Sequence, residues 1–245
     1  MTEMATADTD TERRAELAGN LAKLRSRVAA ACEAAGRDRA GITLVAVTKT
    51  YPAADVLRLA KLGVRDIGEN KDQEAAAKAA EVAGTGVDVR WHYIGQLQRR
   101  KCKSVATYAH LVHSVDRPEL VESLANAVAE HRDGPLDVLL QVSLDGAEGR
   151  GGVPVPAVPA LAETVGKRPE LVLRGVMTVA PLDWAPERAF TLLAETAQRL
   201  RRDVPDATVV SAGMSGDLEE AIRYGATHVR VGSALLGNRS YPGVA

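Results

Sequence analysis

Ile42-Thr-Leu-Val-Ala-Val47 is a short uncharged run rich in β-branched and aliphatic residues, and Pro52 and a helical stretch from Ala53 to Leu62 follow it. Such a run is typical of a strand that is buried on both faces. Proline fits the start of a helix, because the first helical position needs no backbone N–H. The stretch therefore predicts one strand–helix unit of an α/β protein with a parallel sheet.

The same pattern recurs along the rest of the chain. Helical stretches separate seven further short strands, which are predicted at 64–67, 89–94, 111–115, 137–142, 171–177, 208–210 and 228–231. Eight parallel strands joined by right-handed crossovers, in 245 residues, predict a single closed (β/α)8 barrel of the TIM type. An open doubly wound sheet is the alternative, and it is disfavoured because no Gly-x-Gly-x-x-Gly follows the first strand.

One extra helix is predicted ahead of the barrel. Between Glu12 and Ala35, apolar residues recur at helical spacing, and Gly36 is suited to end the helix. The first eleven residues are polar and are predicted to form a disordered tail. Residues 12–245 are accordingly predicted to be one barrel domain.

Composition excludes several classes of function. Acidic and basic residues number 32 and 31, so the net charge of −1 creates no field that would attract nucleic acid or an anionic membrane. Cys32 and Cys102 form no disulfide or metal-binding motif. Neither a signal peptide nor an apolar run of membrane length is recognisable. We therefore expect a soluble cytoplasmic protein that binds no metal, nucleic acid or membrane.

Functional groups of such barrels lie at the carboxyl ends of the strands. Lys49 follows the first strand directly, where partial desolvation would suit an imine-forming amine. Two turns with glycine and serine, Ser211–Asp217 and Val231–Ala234, follow the seventh and eighth strands and can supply N–H and hydroxyl groups to a phosphate. Because the eighth strand closes onto the first, the lysine and this phosphate cradle should be neighbours. The pair indicates a phosphorylated aldehyde, either pyridoxal 5′-phosphate (PLP) or a sugar phosphate bound by a Schiff-base aldolase.

Other polar residues near strand ends receive structural interpretations. His92 and His113 are expected to be packed or hydrogen-bonded rather than to act as general bases. Glu69 can serve as a base, or Gly-Glu-Asn can cap the following helix through Asn70. A basic cluster is expected to be a solvated helix face, with an anionic partner as the alternative; it comprises Arg99, Arg100, Lys101 and Lys103.

Seven distinctive blocks occur in order along the chain. They are LVAVTKTYP (44–52), GEN (68–70) with Gln73-Glu74, WHYIGQLQ (91–98), HSVDR (113–117), GVMT (175–178), GMSGD (213–217) and VRVGSA (229–234). Together they resemble the pyridoxal phosphate homeostasis protein family, which shares its barrel with the N-terminal domain of alanine racemase. The resemblance covers about residues 12–239, nearly the whole chain.

The resemblance implies a PLP-binding protein that serves vitamin B6 homeostasis. Lys49 would hold PLP as an internal aldimine. Ser215, with the backbone of Gly232 and Ser233, would bind the phosphate.

It also implies how the ring is held. Arg230 would approach the pyridine nitrogen, and Asn70 would lie on the second-strand side of the cofactor. Two departures from the family's usual pattern, Gln-Leu-Gln-Arg-Arg-Lys in the third-strand block and Arg150 near a usual lysine position, lie outside this expected pocket.

A carrier function is predicted rather than amino-acid turnover. A guanidinium at the pyridine nitrogen is always charged and disfavours ring protonation, which weakens the ring as an electron sink. Alanine racemase uses two opposed bases, one from a second domain, for which the sequence leaves no residues after the eighth strand; Tyr51 is the nearest candidate base. No residue is therefore assigned a catalytic role, and apo PLP-dependent enzymes are expected recipients of the cofactor. A PLP-dependent racemase or related enzyme and a Schiff-base aldolase are the alternatives.

Overall fold

The computed structural model describes residues 2–147 and 149–237, in which the repeating pattern forms a closed parallel barrel. The strands are β1 (Thr43–Val47), β2 (Asp66–Glu69), β3 (Arg90–Tyr93), β4 (Leu111–Val115), β5 (Leu136–Ser143), β6 (Val153–Pro154), β7 (Leu171–Met177), β8 (Val209–Ser211) and β9 (His228–Val231). The two-residue β6 pairs only with β5, and the other eight form the barrel, which closes through the β4–β5 and β1–β9 pairs. The predicted (β/α)8 barrel is confirmed.

Helices alternate with the strands and cover the outside of the barrel. They are α1 (Thr2–Ala34), α2 (Ala53–Lys61), α3 (Asp72–Ala83), α4 (Cys102–Tyr108), α5 (Pro118–His131), α6 (Val158–Gly166), α7 (Pro186–Asp203), α8 (Leu218–Arg223) and α9 (Ser233–Leu236). In α7, for example, Phe190, Leu193 and Leu200 are buried on one face because they recur at helical spacing. None of the described helices is long and apolar enough to cross a membrane.

The extra N-terminal helix is present, but it starts earlier than predicted. Helix α1 begins at Thr2, so residues 2–11 are helical and differ from the predicted tail. The reason is tertiary: Asp10 accepts a hydrogen bond from Arg58 Nε of α2 at 2.8 Å, and Arg13 pairs with Asp55 at 2.8 Å. These contacts tie the polar start of α1 to the barrel. The single domain over 12–245 stays a prediction, of which residues 148 and 238–245 lie outside the described residues.

The buried residues form an apolar core around the barrel and a partly polar interior within it. The main core lies between strands and helices, where Val138 and Leu140 of β5 are buried. Leu139, which points the opposite way in the alternating strand, belongs to a separate small cluster with Leu111 and Met177. Buried polar side chains from β2, β3, β4, β8 and β9 occupy the remaining interior. These residues lie directly below the mouth where the functional groups are expected.

Candidate functional site

Strand register brings Lys49 and the predicted cradle to the same edge of the barrel. Ala46 of β1 pairs with Val231 of β9, so Gly232 stands opposite Val47, two residues before Lys49. A Cβ built on Gly232 would lie 3.5 Å from the Val47 carbonyl oxygen, which confirms the close approach of the two chains.

Lys49 lies on a tight turn. Tyr51 N donates to the Thr48 carbonyl at 3.0 Å. Thr50 has a φ of +68°, and the Thr50 N–H donates to the Glu74 carboxylate. Thr48 is buried, whereas the Lys49 side chain is exposed. The partial desolvation expected for this amine is therefore not observed among the described residues, because the turn carries the lysine past the end of the strand.

A buried ion pair lies beneath this turn. Lys78 Nζ of α3 lies 2.5 Å from Glu69 Oε1 and 2.8 Å from the Thr48 carbonyl oxygen. Thr48 Oγ1 donates to the same carboxylate oxygen at 2.6 Å. Burial raises the pKa of Glu69, and the bonds from Lys78 and Thr48 oppose that rise. Glu69 is thus committed to structure rather than open to solvent as a base, and Lys78 was not identified from the sequence.

Asn70 ends β2 next to this pair. Its Oδ1 is buried and has no hydrogen-bond partner in the part of the chain that the structure describes. Helix α3 begins at Asp72 behind Lys71, with no side-chain cap, so the predicted capping role of Asn70 is wrong. The Asn70 carbonyl instead approaches Gly95 so closely that a Cβ there would lie 2.1 Å from it.

The cradle brings two hydroxyl groups and a backbone N–H together. Ser233 Oγ lies 3.3 Å from Ser215 Oγ, and Ala234 N lies 3.4 Å from the same atom. Gly232 precedes them at the start of α9. The structure therefore brings Ser215, Gly232 and Ser233 to one place, as the resemblance implied.

The Ser215 turn is held from two sides. Gly213 has a φ of +85°, and a Cβ there would lie 2.6 Å from Ala221 Cβ, so only glycine fits. Met214 N donates to Asp217 Oδ1 at 2.6 Å. Arg27 of α1 donates to the Ser215 carbonyl at 3.0 Å. Arg27 escaped the sequence analysis because its partner is known only once α1 is seen packed on the barrel.

Arg230 is a buried cation below the cradle. Its Nη1 donates to Ser211 Oγ at 2.6 Å, and its Nη2 donates to the Thr178 carbonyl at 2.7 Å. No described carboxylate lies within ion-pair distance of it. Burial lowers the pKa of Arg230 to about 10, so the guanidinium is still charged at neutral pH. An electron-rich ligand atom at the mouth would complete its bonding.

The interior histidines are hydrogen-bonded, as predicted. His92 and His113 are buried and contact each other at 2.9 Å between Nδ1 and Nε2. Across residues 2–147 and 149–237, no group of three or more His, Cys, Asp or Glu side chains is arranged to hold a metal ion.

The basic cluster behaves mostly as a solvated surface. Arg99, Arg100 and Lys103 are exposed. Lys101 is half-buried, and its Nζ lies 3.2 Å from Asp72 Oδ2. An anionic partner for this cluster stays a prediction.

Comparisons with known proteins identify the family of this chain. Residues 19–240 match the family described as alanine racemase, N-terminal domain. The pyridoxal phosphate homeostasis protein of Mycobacterium bovis is 47% identical over 244 residues, which cover 93% of this chain and 95% of that protein. The corresponding protein of Pseudomonas aeruginosa is 42% identical over 234 residues, with coverages of 92% and 96%.

A solved structure of PipY from Synechococcus elongatus with PLP bound has a TM-score of 0.76 and 31% identity, covering 91% of this chain and 100% of that one. Alanine racemase from Corynebacterium glutamicum, with a TM-score of 0.62 and 16% identity, covers 95% of this chain and 63% of that one and shows a shared fold alone. This chain belongs to the pyridoxal phosphate homeostasis protein family.

Proposed function

We propose that this chain binds PLP at the barrel mouth through Lys49 and serves PLP homeostasis as a carrier that does not turn over amino acids. One observation carries the proposal. The β1–β9 register brings the backbone before Lys49 and a cradle of Ser215, Ser233 and the Ala234 N–H to the same edge of the barrel, which supports the proposal. A primary amine next to a phosphate site is the arrangement that a phosphorylated aldehyde requires.

The donor set fits this cofactor. When bound, PLP supplies an aldehyde that condenses with a primary amine and releases water, joined to a pyridine ring and a phosphate. Arg230 has neutral protein partners only, so it can donate to the pyridine nitrogen. Asn70, whose Oδ1 is buried without a described partner, directly follows β2, the neighbour of β1 in the barrel. These two residues would contact the ring, while the cradle would bind the phosphate and Lys49 the aldehyde.

The residues at the mouth favour reversible binding. The Lys49 side chain is exposed, so water and a second amine can reach the point of attachment. Thr48, directly before it, is fixed by Lys78 and Glu69. The backbone before Lys49 is thus held in place while the lysine side chain is exposed to solvent. This combination is suited to binding the cofactor and to transferring it to an apo-enzyme.

Two observations argue against efficient racemisation. The charged guanidinium of Arg230 disfavours protonation of the pyridine nitrogen, which reduces stabilisation of a carbanion. Tyr51, the candidate base nearest Lys49, donates its hydroxyl to the Gly237 carbonyl at 2.7 Å, and the Arg13 guanidinium lies 5.6 Å from its ring centre. Inversion needs proton donors on both faces of a substrate, and Tyr51 is held by these contacts.

A cytosolic location belongs to the same proposal. Cys32 and Cys102 are unpaired thiols, and thiols stay reduced in that compartment. The recipients of the cofactor would be apo-enzymes, that is, proteins with an unoccupied PLP-binding lysine.

The test is a paired assay of the PLP-loaded protein. We expect no D-isomer from L-alanine or other amino acids above the background of free PLP. We also expect an apo PLP-dependent enzyme to gain activity from the loaded protein and not from a PLP-treated Lys49→Ala variant. Racemisation, decarboxylation or transamination at about 1 per second or faster would overturn the carrier proposal. Turnover of a sugar phosphate would favour an aldolase instead.

A further inference from the structure

A continuous chain of hydrogen bonds crosses the barrel interior from its amino end to Arg230. Asp66 Oδ1 lies 2.9 Å from His92 Nε2, and His92 Nδ1 lies 2.9 Å from His113 Nε2. His113 Nδ1 lies 3.0 Å from Ser211 Oγ, which accepts from Arg230 Nη1 at 2.6 Å. The five side chains come from five different strands, β2, β3, β4, β8 and β9. We call this chain the interior relay.

Every member of the interior relay is withdrawn from water. Their exposed fractions range from 0% for His113 and Ser211 to 8% for Asp66. Buried polar groups are costly unless their hydrogen bonds are made, so a partly satisfied network would destabilise the barrel. The observed contacts give each inner member one partner on either side. The relay is therefore a satisfied network, and removal of an inner member deprives each of its two neighbours of one hydrogen-bond partner.

The ends of the relay fix the direction of its two terminal bonds. A guanidinium can only donate and an ionised carboxylate can only accept. Ser211 Oγ therefore accepts from Arg230 Nη1, and Asp66 Oδ1 accepts from His92 Nε2. We expect Ser211 to donate its own proton to His113 Nδ1, so that His113 carries its proton on Nε2 and donates to His92 Nδ1. This arrangement satisfies every contact with His113 neutral.

The electrostatics agree with this arrangement. Burial, together with His92, Arg230 and His228, lowers the pKa of His113 well below its ordinary value, so this ring is neutral. Burial raises the pKa of Asp66, but the hydrogen bonds from His92 and Arg90 lower it by more, so the carboxylate is ionised. An anion at one end and a cation at the other thus enclose the neutral His113 ring.

Three further charged or titratable groups face the relay. Arg90 Nη2 lies 2.7 Å from Asp66 Oδ2. The His228 ring centre lies 6.1 Å from that of His92 and 6.5 Å from that of His113, and burial lowers the pKa of His228 to about 4. Asp217 acts on Arg230 only through space. None of these groups inserts into the chain of bonds.

We infer that Asp66, His92, His113 and Ser211 are positioning residues for Arg230. These four residues hold the guanidinium of Arg230 in one plane. Ser211 Oγ accepts one of its N–H groups and directs its own proton elsewhere. The remaining N–H groups of Arg230 are then directed toward the pyridine nitrogen. The inference rests on the proposed function for the PLP contact of Arg230. The relay itself is a property of the protein without cofactor and can be tested separately.

The first experiment measures the relay without cofactor. In protein labelled with ¹⁵N-histidine, we expect NMR to find His113 neutral and protonated on Nε2 at pH 7. The same signal should persist well below pH 6.5. Protonation of His113 on Nδ1, or a charged His113 at pH 7, would overturn the relay, whatever the protein does with PLP.

The second experiment compares two buried serines. Ser211→Ala removes the acceptor of Arg230, whereas Ser114→Ala removes a buried hydroxyl with no described partner on the strand that carries His113. We expect Ser211→Ala to weaken PLP binding by about three- to tenfold, the worth of one net hydrogen bond. It should also make the visible absorption of the bound cofactor dependent on pH where the wild type is not. Ser114→Ala should match the wild type in both measurements.

A third variant tests whether misfolding could explain the expected changes in Ser211→Ala. His113→Gln keeps a polar side chain but cannot span both neighbours, so it should reproduce the pH-dependent absorption of Ser211→Ala while circular dichroism stays that of the wild type. Equal affinity and equal spectra for Ser211→Ala and Ser114→Ala would overturn the positioning role. A wild-type protein with the expected His113 signal and no PLP binding would instead overturn the proposed function, and the positioning role with it.

Discussion

Lys78 Nζ lies 2.8 Å from the carbonyl oxygen of Thr48, the residue directly before Lys49. The same ammonium neutralises the buried Glu69 carboxylate. The buried Lys78 of α3 therefore fixes the backbone directly before the exposed Lys49. The base of the proposed cofactor site thus depends on a buried ion pair.

Replacing Lys78 with methionine should destabilise the protein strongly. The change leaves Glu69 as a buried charge without its partner, which costs about 3–5 kcal/mol in comparable pairs. Urea unfolding measures the loss, and Lys61→Met, at the exposed end of α2, is the matched control. A loss no larger than that of the control would contradict the structural role of the pair.

Gly95→Ala should be destabilising because the new Cβ would lie 2.1 Å from the Asn70 carbonyl oxygen. The backbone of Asn70 must move, at a cost of about 1–3 kcal/mol or more, and PLP affinity should fall with it.

Gly19→Ala should have the opposite effect and stabilise the protein. Nothing lies within 4 Å of a Cβ at Gly19 in α1, so we expect a gain of about 1 kcal/mol from helix propensity. Thermal unfolding of both variants checks the signs, and a neutral Gly95→Ala would show that Asn70 is not held as described.

The barrel was predictable because its signal is local. Each buried strand is a short apolar run between turn residues, and β4, β7 and β9 were predicted with the observed bounds, Leu111–Val115, Leu171–Met177 and His228–Val231. The closure of β9 onto β1 then follows from topology, which is why Lys49 and the cradle could be expected together.

The supporting residues were not predictable because their partners are distant in sequence. Arg27 reaches the Ser215 turn only because α1 packs there, and Lys78 is an ordinary basic residue of α3 until it is seen below Thr48. The interior relay requires knowing which side chains of five strands point inward at one level. Such contacts are set by packing and register, which no single segment encodes.

Ser215→Ala should selectively weaken binding of the phosphorylated cofactor. Loss of one hydrogen bond to a charged group is worth roughly 1.5–3 kcal/mol, which corresponds to about a tenfold to hundredfold lower PLP affinity. Pyridoxal without phosphate should be nearly unaffected, and Ser104→Ala in α4 should leave both affinities unchanged. Equal losses for PLP and pyridoxal would contradict a phosphate role for the cradle.

Stability should fall as the pH is lowered from 7.5 to 5. Burial lowers the folded-state pKa of His228 from 6.5 to about 4, so the unfolded state binds more protons between these values and stability rises with pH there. His228 alone should account for about 2 kcal/mol over this range.

Urea unfolding at several pH values measures this slope. His228→Asn should make the slope less steep, with the buried His113 still contributing, whereas His131→Asn in α5, outside the barrel interior, is the matched control. A slope that is unchanged by His228→Asn would contradict a neutral buried His228. Asp66 does not contribute in this window, because its lowered pKa removes stability only as the pH falls below about 4.

The attachment of PLP to Lys49 is the central claim, and one measurement tests it directly. PLP-loaded protein is reduced with borohydride and digested, and the pyridoxyl-modified peptide is identified by mass spectrometry. We predict a single modified lysine, Lys49, with loss of the modification in Lys49→Ala. Modification of Lys101 or Lys103 with Lys49 untouched would contradict the account.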